Sequence, residues 1–334
     1  MSFSHPTSRR RFLLGSAALG ALGAGTFTIA GLGRWTRAHR LVRRSLPLMG
    51  TLAELAVVTG DEVDEARAEL ALDAAFDELW RVERLMTRFE TTSEVGRANL
   101  SAGSGTPVAL DPRTRFVVEA ARAWAESTAG RFDPCLGALE QLWDVTHRTV
   151  PPAPDELAAV WTKTPWQDLD LGADGLRIRS ESGVRVALDL GGIAKGFAID
   201  EARRALEEKG VRSALVNVGG DLVTMGTSED GDPWKVGVRD PLDPGRLMAT
   251  LEMADGAVAT SGDYERYFDH RGHRYHHILG ADGLPVACPG RHSLTISAPT
   301  CLEADAAATA GFGLAREDAQ ALIERIAPEA RVRA

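Results

Sequence analysis

Residues 188–200, LDLGGIAKGFAID, place two adjacent glycines, a lysine and a third glycine between an apolar run and a helix-like stretch. The preceding run, VRVALDL at 184–190, alternates in the manner of a β-strand. The following run, AKGFAIDEARRALEEKG at 194–210, has its apolar residues on one helical face and ends at a glycine. The sequence therefore predicts a tight turn between a strand and a helix.

A glycine turn at the start of a helix is compatible with two roles. The backbone can approach a ligand closely there, and the first amides and the dipole of the helix favour an anion such as phosphate. However, the spacings of the two common nucleotide loops, GxxxxGK[ST] and GxGxxG, are absent. From these residues alone, a phosphate site and a purely structural turn that exposes Lys195 both stay open.

The rest of the chain mixes helical and strand patterns. Apolar periodicity predicts long helices at 61–89 and 112–130. Alternating runs predict strands at 175–180, 213–219, 234–240 and 293–298. The prolines of RTVPPAPDEL, 148–157, are the best candidate for a break between these two parts. The pattern predicts an α+β fold.

The N-terminus has the composition of an export signal. Arg9, Arg10 and Arg11 precede Phe12 and a glycine- and alanine-rich apolar run, which is the twin-arginine pattern. We predict a leader at 1–44 and a folded domain at 45–334, exported to the periplasm or another extracytoplasmic space. Cleavage of the leader and its retention as a membrane anchor both stay open, because no clear cleavage site follows.

Composition narrows the function classes. The chain has 334 residues and 44% hydrophobic content, enough to bury a substantial core. Its three cysteines are too scattered for a disulfide framework or a CxxC zinc site. Without residues 1–44 the chain has 30 basic against 47 acidic residues, a formal charge of −17. Such a surface repels nucleic acid, so we expect no nucleic-acid partner.

Two further stretches carry candidate chemistry. In CLEADAAATAGFGL, Asp305 and Thr309 are four residues apart, so on a helix their oxygens share a face and are suited to a hard cation such as Mg²⁺. Four of the eight histidines lie within 270–277. Each of these patterns is more often structural than functional when it occurs by itself.

Eight segments in order resemble the ApbE family of FAD:protein FMN transferases, the flavin-trafficking proteins. They are LMGT at 48–51, MTRFETTSEVGRAN at 86–99, GRFDPCLGALEQLW at 130–143, LDLGGIAKGFAID at 188–200, LVNVGGDLVTMG at 215–226, VATSGDYERYF at 258–268, YHHIL at 275–279 and EADAAATAGF at 303–312. The resemblance spans nearly everything after the leader. It implies a mixed α/β fold of its own, not a Rossmann fold.

The resemblance also implies an activity. The enzyme would depend on Mg²⁺, split the pyrophosphate of FAD and transfer FMN to a threonine or serine hydroxyl of an exported or membrane-associated redox protein, with AMP as the other product. Some relatives instead hydrolyse FAD to FMN and AMP. A flavin-storage protein and a pyrophosphatase with another nucleotide substrate are the rival classes.

The resemblance assigns roles to individual positions. Gly192, through its carbonyl, and the side chains of Asp305 and Thr309 would hold the metal. Lys195 would offset pyrophosphate charge, and His277 would take the proton from the acceptor, with a pKa near neutrality. The positions implied to contact FAD are Met49, Phe89, Gly130, Arg131, Phe132, Asp133, Asp189, Lys195 and Ile278. One segment departs from the family pattern: after HHI the chain has LGADGLP, with Gly280 and Ala281 where relatives tend to have an acid and a proline.

Overall fold

A computed structural model describes residues 40–161, 165–179, 186–243 and 245–334. Within these residues the centre of the molecule is a seven-stranded sheet in which every neighbouring pair is antiparallel. In spatial order its strands are β1 (Leu41–Leu48), β2 (Thr51–Val58), β5 (Ala214–Val218), β6 (Asp221–Met225), β9 (Gly256–Gly262), β12 (Ser293–Ala298) and β13 (Arg331–Val332). This pairing confirms an α+β fold and excludes the parallel sheet of a Rossmann domain.

Three two-stranded antiparallel hairpins supplement the central sheet. They are β3 (Leu169–Gly172) with β4 (Gly175–Ile178), β7 (Trp234–Arg239) with β8 (Leu247–Met253), and β10 (Tyr267–His270) with β11 (His273–His276). The hairpin of β10 and β11 leads directly into His277, so it positions one of the predicted catalytic side chains.

The described residues contain eight α-helices and a short 3-10 helix at Pro165–Asp168. The α-helices are α1 (Glu65–Met86), α2 (Glu94–Leu100), α3 (Pro112–Ser127), α4 (Gly137–Trp143), α5 (Pro154–Ala158), α6 (Ala194–Glu208), α7 (Cys301–Gly311) and α8 (Arg316–Ile323). None of these helices combines the length and the apolar composition needed to cross a membrane.

The main core lies between the central sheet and α1, α6 and α7. In α1, capped by the Asp64 side chain, an apolar face from Ala68 to Met86 is buried. In α7 almost every residue is buried, because its small alanines allow close approach by neighbouring elements. One such approach is at Gly196 of α6, where a Cβ would lie 2.2 Å from the carbonyl oxygen of Cys301. Only glycine fits at this helix crossing.

The first hairpin of the sheet begins before the predicted domain boundary. Strand β1 starts at Leu41, so the sheet includes residues 41–44, which the sequence prediction placed at the end of the leader. Met49 and Gly50 form the connecting turn, and both have positive φ, 52° and 71°. The remaining leader, 1–39, lies outside the described residues, and the leader stays a prediction.

Most of the elements that the sequence predicts are present in the structure. Helices α1, α3 and α6 fall within the predicted ranges, and predicted strands correspond to β4, β5, β7 and β12. The predicted strand at 184–190 is wrong for its described part, where Ala187 forms only an isolated bridge with Leu136. The Asn99 side chain donates to the carbonyl of Leu188 and accepts from its amide, at 2.9 and 2.7 Å, so it replaces a partner strand.

A smaller apolar cluster supports the segment that departs from the family pattern. Its buried members are Leu136, Leu139, Trp143, Val145, Phe268 and Leu279. The Trp143 indole nitrogen donates to the carbonyl of Gly283 at 2.9 Å, and that of Trp161 donates to the carbonyl of Ala281 at 3.2 Å. Two tryptophans therefore hold the turn that follows His277.

Candidate active site

Lys195 lies at the centre of a group of side chains at one end of the central sheet. It is the second residue of α6, and its Nζ forms an ion pair with Asp221 and lies 3.8 Å from Oδ1 of Asp305. Asp221 begins β6, is only 2% exposed, and accepts a hydrogen bond of 3.0 Å from the Thr260 amide. The lysine charge is thus held between two buried carboxylates.

Asp305 connects this group to the first turn of α6. Its Oδ2 accepts a hydrogen bond of 2.9 Å from the Gly196 amide. Burial raises the pKa of the Asp305 carboxyl, while Lys195 and the Gly196 amide act in the opposite direction. The sequence prediction left the first amides of α6 free for a ligand, but the structure shows that Asp305 already occupies one of them.

Gly192 and Thr309 approach each other closely, as the predicted metal site requires. A Cβ at Gly192 would lie 3.1 Å from Oγ1 of Thr309 and 3.3 Å from the ring of Phe132. Because Asp305 is one helical turn before Thr309 on α7, the three residues predicted to hold the metal lie near one another.

The donor set at this place fits a hard divalent cation. It consists of a buried carboxylate, a hydroxyl and a backbone carbonyl, all oxygen donors of the kind that Mg²⁺ prefers. Among the described residues no group of three or more His, Cys, Asp or Glu side chains is arranged around a metal position. That finding is compatible with the predicted set, in which only Asp305 belongs to those residue types. The magnesium site stays a prediction.

Asp189 stabilises the Gly191–Gly192 turn through a hydrogen bond and an ion pair. Its Oδ1 accepts a hydrogen bond of 2.7 Å from the Gly191 amide, and its Oδ2 forms an ion pair with Nε of Arg88. Nη2 of Arg88 also lies 3.4 Å from Oε2 of Glu140. Burial and the nearby Asp189 carboxylate raise the pKa of Glu140 well above its ordinary value. Two acidic groups therefore converge on one guanidinium.

Phe89 is the most exposed of the predicted FAD contacts. It is 75% exposed, and the guanidinium carbon of Arg88 lies 4.4 Å from its ring centroid. An apolar ring so exposed in a folded chain is available to stack on a planar ligand.

Segment 130–133 has mixed roles. Gly130 adopts a positive φ of 81°, and Phe132 is buried against the Gly192 turn. Arg131 donates to the carbonyls of Ala310 and Phe312, at 3.1 and 2.9 Å, so it holds the C-terminal end of α7. Burial raises the pKa of Asp133 to about 7, although its carboxylate accepts a hydrogen bond from the Cys135 amide.

Met49 and Ile278 are the two aliphatic side chains among the predicted FAD contacts. The Met49 amide donates to Oε1 of Glu83 at 2.9 Å, which fixes the hairpin turn that carries this residue. The side chain of Ile278 is only 8% exposed and belongs to the main core. Both residues therefore stabilise the local structure, through a backbone hydrogen bond at Met49 and through core packing at Ile278.

His277 is held at the end of β11 by a neighbouring backbone. Its amide and its Nδ1 lie 3.2 and 3.3 Å from the carbonyl oxygen of Arg266. Because a carbonyl only accepts, this contact places a proton on Nδ1 and leaves Nε2 free. Burial and the positive charge of Arg266 lower the pKa of His277 to about 3. The near-neutral pKa expected from the sequence is wrong for this arrangement.

The structure adds residues that the sequence prediction did not select. Asp221 holds Lys195, Arg88 and Glu140 surround Asp189, and Arg266 holds His277. Asp221 carries a usable signal, since it follows a glycine pair at the end of an apolar run. Arg88, Glu140 and Arg266 lie in segments that resemble the ApbE family, but no pattern of residue types there indicates their contacts. The contacts of Arg88 join distant segments, and that of Arg266 with His277 joins the two ends of the β10–β11 hairpin.

Comparison with known proteins gives a consistent result. A family model described as the ApbE family matches residues 49–333. An FAD:protein FMN transferase of Treponema pallidum (strain Nichols) is 35% identical over 312 residues, which cover 86% of this chain and 84% of the relative. An FAD:protein FMN transferase of Vibrio cholerae is 29% identical, covering 85% of this chain and 84% of the relative.

Solved structures agree with the sequence comparison. The ApbE protein of Thermotoga maritima superposes with a TM-score of 0.77 at 30% identity, covering 88% of this chain and 93% of that protein. The flavin transferase ApbE of Vibrio cholerae superposes with a TM-score of 0.74 at 28% identity, covering 86% and 91% of the two chains. The likeness therefore extends over most of the chain.

Proposed function

Because the chain belongs to the ApbE family and is an FAD:protein FMN transferase, we propose that it transfers FMN to a threonine or serine hydroxyl in a Mg²⁺-dependent reaction that releases AMP. The observation that carries this proposal is the meeting of Lys195, Asp305, Thr309 and the Gly192 turn at one place. A lysine, a buried carboxylate and further oxygen donors are the parts with which proteins bind a metal and a pyrophosphate.

The metal would be held by the carboxylate of Asp305, the hydroxyl of Thr309 and the carbonyl of Gly192. When bound, a divalent cation neutralises charge on phosphoryl oxygens. Lys195 contributes a second positive charge to the same place, and its pairing with Asp221 fixes where that charge lies. Replacing Asp221 would therefore release Lys195, whose Nζ also lies 3.8 Å from Oδ1 of the proposed metal ligand Asp305.

The tautomer of His277 suits it to receive the proton of the acceptor hydroxyl, whereas its lowered pKa makes it a weaker base than an imidazole with a pKa near the working pH. The carbonyl of Arg266 holds Nδ1, so the free Nε2 is the atom that accepts the proton. The hydroxyl oxygen then forms a bond to the phosphorus of the FMN half, and the bond from that phosphorus to the AMP oxygen breaks. AMP leaves with the electron pair of the broken bond, so the atoms and charges balance.

The proposal is tested by incubating the protein with FAD, Mg²⁺ and an acceptor bearing the candidate hydroxyl. A mass increase on the acceptor equal to an FMN group supports transfer, and its loss in excess EDTA supports the metal. Release of FMN and AMP with no change in acceptor mass would indicate an FAD pyrophosphatase. FAD binding with no product would indicate a storage protein.

We also propose that the protein is exported by the twin-arginine route and acts on an exported or membrane-associated redox protein. The support is the leader sequence, with Arg9, Arg10 and Arg11 before an apolar run. The formal charge of −17 after residue 44 supports a protein acceptor over nucleic acid, because an acidic surface repels phosphate backbones.

A further inference from the structure

Arg88 connects three segments that are far apart in the sequence. It follows the end of α1, and its guanidinium lies over the exposed ring of the next residue, Phe89. It also contacts Asp189 in the glycine-turn segment and Glu140 in α4. Its side chain is 18% exposed, so these contacts hold it in a defined position. A single guanidinium therefore fixes the relative positions of the aromatic ring and the turn.

The chemistry of these contacts requires arginine. A guanidinium is planar and carries several donors, so it can bind two carboxylates through its edge while its face covers an aromatic ring. A lysine at this position would keep the charge, but it would lose the stacking and the second carboxylate contact.

The arrangement leaves one face of Phe89 for a ligand. The ring is 75% exposed although Arg88 lies 4.4 Å from its centroid. FAD has two planar ring systems, and a ring covered on one side by a fixed guanidinium is a ready stacking surface for one of them.

We infer that Arg88 is a positioning residue for FAD: it fixes Phe89 as a stacking platform at a set distance from the Gly191–Gly192 turn. This inference rests on the proposed function. Arg88 acts through Phe89, which it holds near the turn by its ion pair with Asp189, so its loss should weaken FAD binding more than it slows the transfer step.

The experiment compares Arg88→Gln, Arg88→Lys, Phe89→Ala and the double variant Arg88→Gln with Phe89→Ala. FAD affinity is measured by the change in flavin fluorescence, and kcat and KM for FAD are measured by acceptor mass. We expect Arg88→Gln to weaken FAD binding about 5- to 30-fold. Arg88→Lys should weaken FAD binding somewhat less than Arg88→Gln does. The rate at saturating FAD should change much less than KM.

The double variant decides whether Arg88 acts through the ring. If it does, the two substitutions together weaken FAD binding hardly more than Phe89→Ala alone. Full additivity, or unchanged affinity in Arg88→Gln, would overturn the inference. Arg81→Gln on α1 is the matched control, because Arg81 is exposed and contacts only Glu78 among the ion pairs of the described residues.

Parallel titrations with FMN and with AMP identify the ring that uses the platform. Weaker binding of either fragment by Arg88→Gln supports the inference, and unchanged binding of both would contradict it. Failure of the proposed function is distinguishable, because the unsubstituted protein would then leave the acceptor mass unchanged, whether or not it bound FAD. Normal binding and transfer by Arg88→Gln would leave the proposed function standing and remove only the role of Arg88.

Discussion

Asp200 and Asp305 each accept backbone hydrogen bonds from the first turn of the helix that carries the other. Asp200 on α6 accepts from the amides of Cys301 and Leu302, at 2.8 and 2.9 Å, and Asp305 on α7 accepts from the amide of Gly196 at 2.9 Å. Helix N-termini have unpaired amides and a positive partial charge, so both carboxylates stabilise the helix pair. Asp305 therefore has a structural contact as well as its predicted metal contact.

The two contacts of Asp305 can be separated by substitution. Asp305→Asn keeps an oxygen for the Gly196 amide but loses the charge, whereas Asp305→Ala loses both. We expect transfer activity to collapse in both variants, and only Asp305→Ala to lose about 1–3 kcal/mol of unfolding free energy through the unpaired buried amide. Urea unfolding and acceptor mass measure the two effects.

Asp200→Asn is the control for this pair. Asp200 uses one oxygen for each of two amides, so the amide side chain can satisfy only one of them. Stability should fall by about 1 kcal/mol while transfer activity stays near that of the unsubstituted protein. Full turnover by Asp305→Asn, or by the unsubstituted protein in excess EDTA, would contradict the metal assignment.

The crossing of α6 and α7 predicts an effect at Gly196. Its Cβ would lie 2.2 Å from the carbonyl oxygen of Cys301, so Gly196→Ala must push the helices apart. We expect a loss of roughly 2 kcal/mol or more in unfolding free energy and a loss of activity, because Lys195 and Asp305 lie on these helices. Gly245→Ala, where the added Cβ would meet only ordinary contacts, should unfold like the unsubstituted protein.

The sequence predicts the elements of this fold better than it predicts their contacts. Helices such as α1 and α6 have a clear apolar face, and their ends coincide with a capping aspartate or a glycine of positive φ. The run 184–190 has the alternation of a strand, but its neighbour in space is segment 134–137, with Asn99 on the other side. Alternation predicts an extended backbone and does not predict which partner it meets.

In the candidate site, too, the sequence indicates some of the residues but not the contacts between them. The metal set comes from the four-residue spacing of Asp305 and Thr309 and from the family resemblance, and the structure brings these residues to the Gly192 turn. The contacts of Arg88 with Asp189 and Glu140 join segments about 50 to 100 residues apart, so no local pattern indicates them. The low pKa of His277 depends on burial and on Arg266, and neither is visible in a histidine-rich segment.

Asp133 predicts a pH dependence of stability. Its pKa is about 7 in the folded protein against an ordinary value of 3.8, so the folded state binds more protons than the unfolded state between these values. Its contribution to stability therefore falls as the pH rises from about 4 to about 7. Urea unfolding measures the free energy of unfolding of Asp133→Asn and of the unsubstituted protein at pH 5 and pH 8. The difference between the two proteins should shift in favour of Asp133→Asn at pH 8. An equal difference at both values would contradict the assignment.

The leader predicts a defect in export. Arg9→Lys together with Arg10→Lys keeps the positive charge but removes the arginine pair, so we expect the protein to accumulate in the cytoplasm. Cell fractionation with antibody detection measures the distribution. Export that continues after this substitution would show that another signal directs the protein, and a variant with Arg34→Lys serves as the control for general charge.

His277 gives the most specific prediction for the chemical step. With a folded pKa of about 3, the imidazole is neutral across the working range, so kcat/KM for the free enzyme should show no inflection near pH 6.5 from this group. The unfolded chain takes up the proton at its ordinary pKa of 6.5, so the contribution of His277 to stability is present at neutral pH and is lost as the pH falls from about 6.5 to about 3. His277→Asn should flatten that part of the stability profile.

The same variant separates proton transfer from FAD binding. Because the proposed FAD contacts are the metal site, the glycine turn and Phe89, His277→Asn should leave FAD affinity nearly unchanged. FMN transfer should fall by roughly 10²- to 10⁴-fold, the usual range for loss of a general base. FAD binding by flavin fluorescence and transfer by acceptor mass are measured on one preparation. Normal transfer would exclude His277 from the mechanism, whereas a parallel loss of FAD affinity would make it a ligand contact, because the Nδ1 contact with Arg266 fixes the ring in either role.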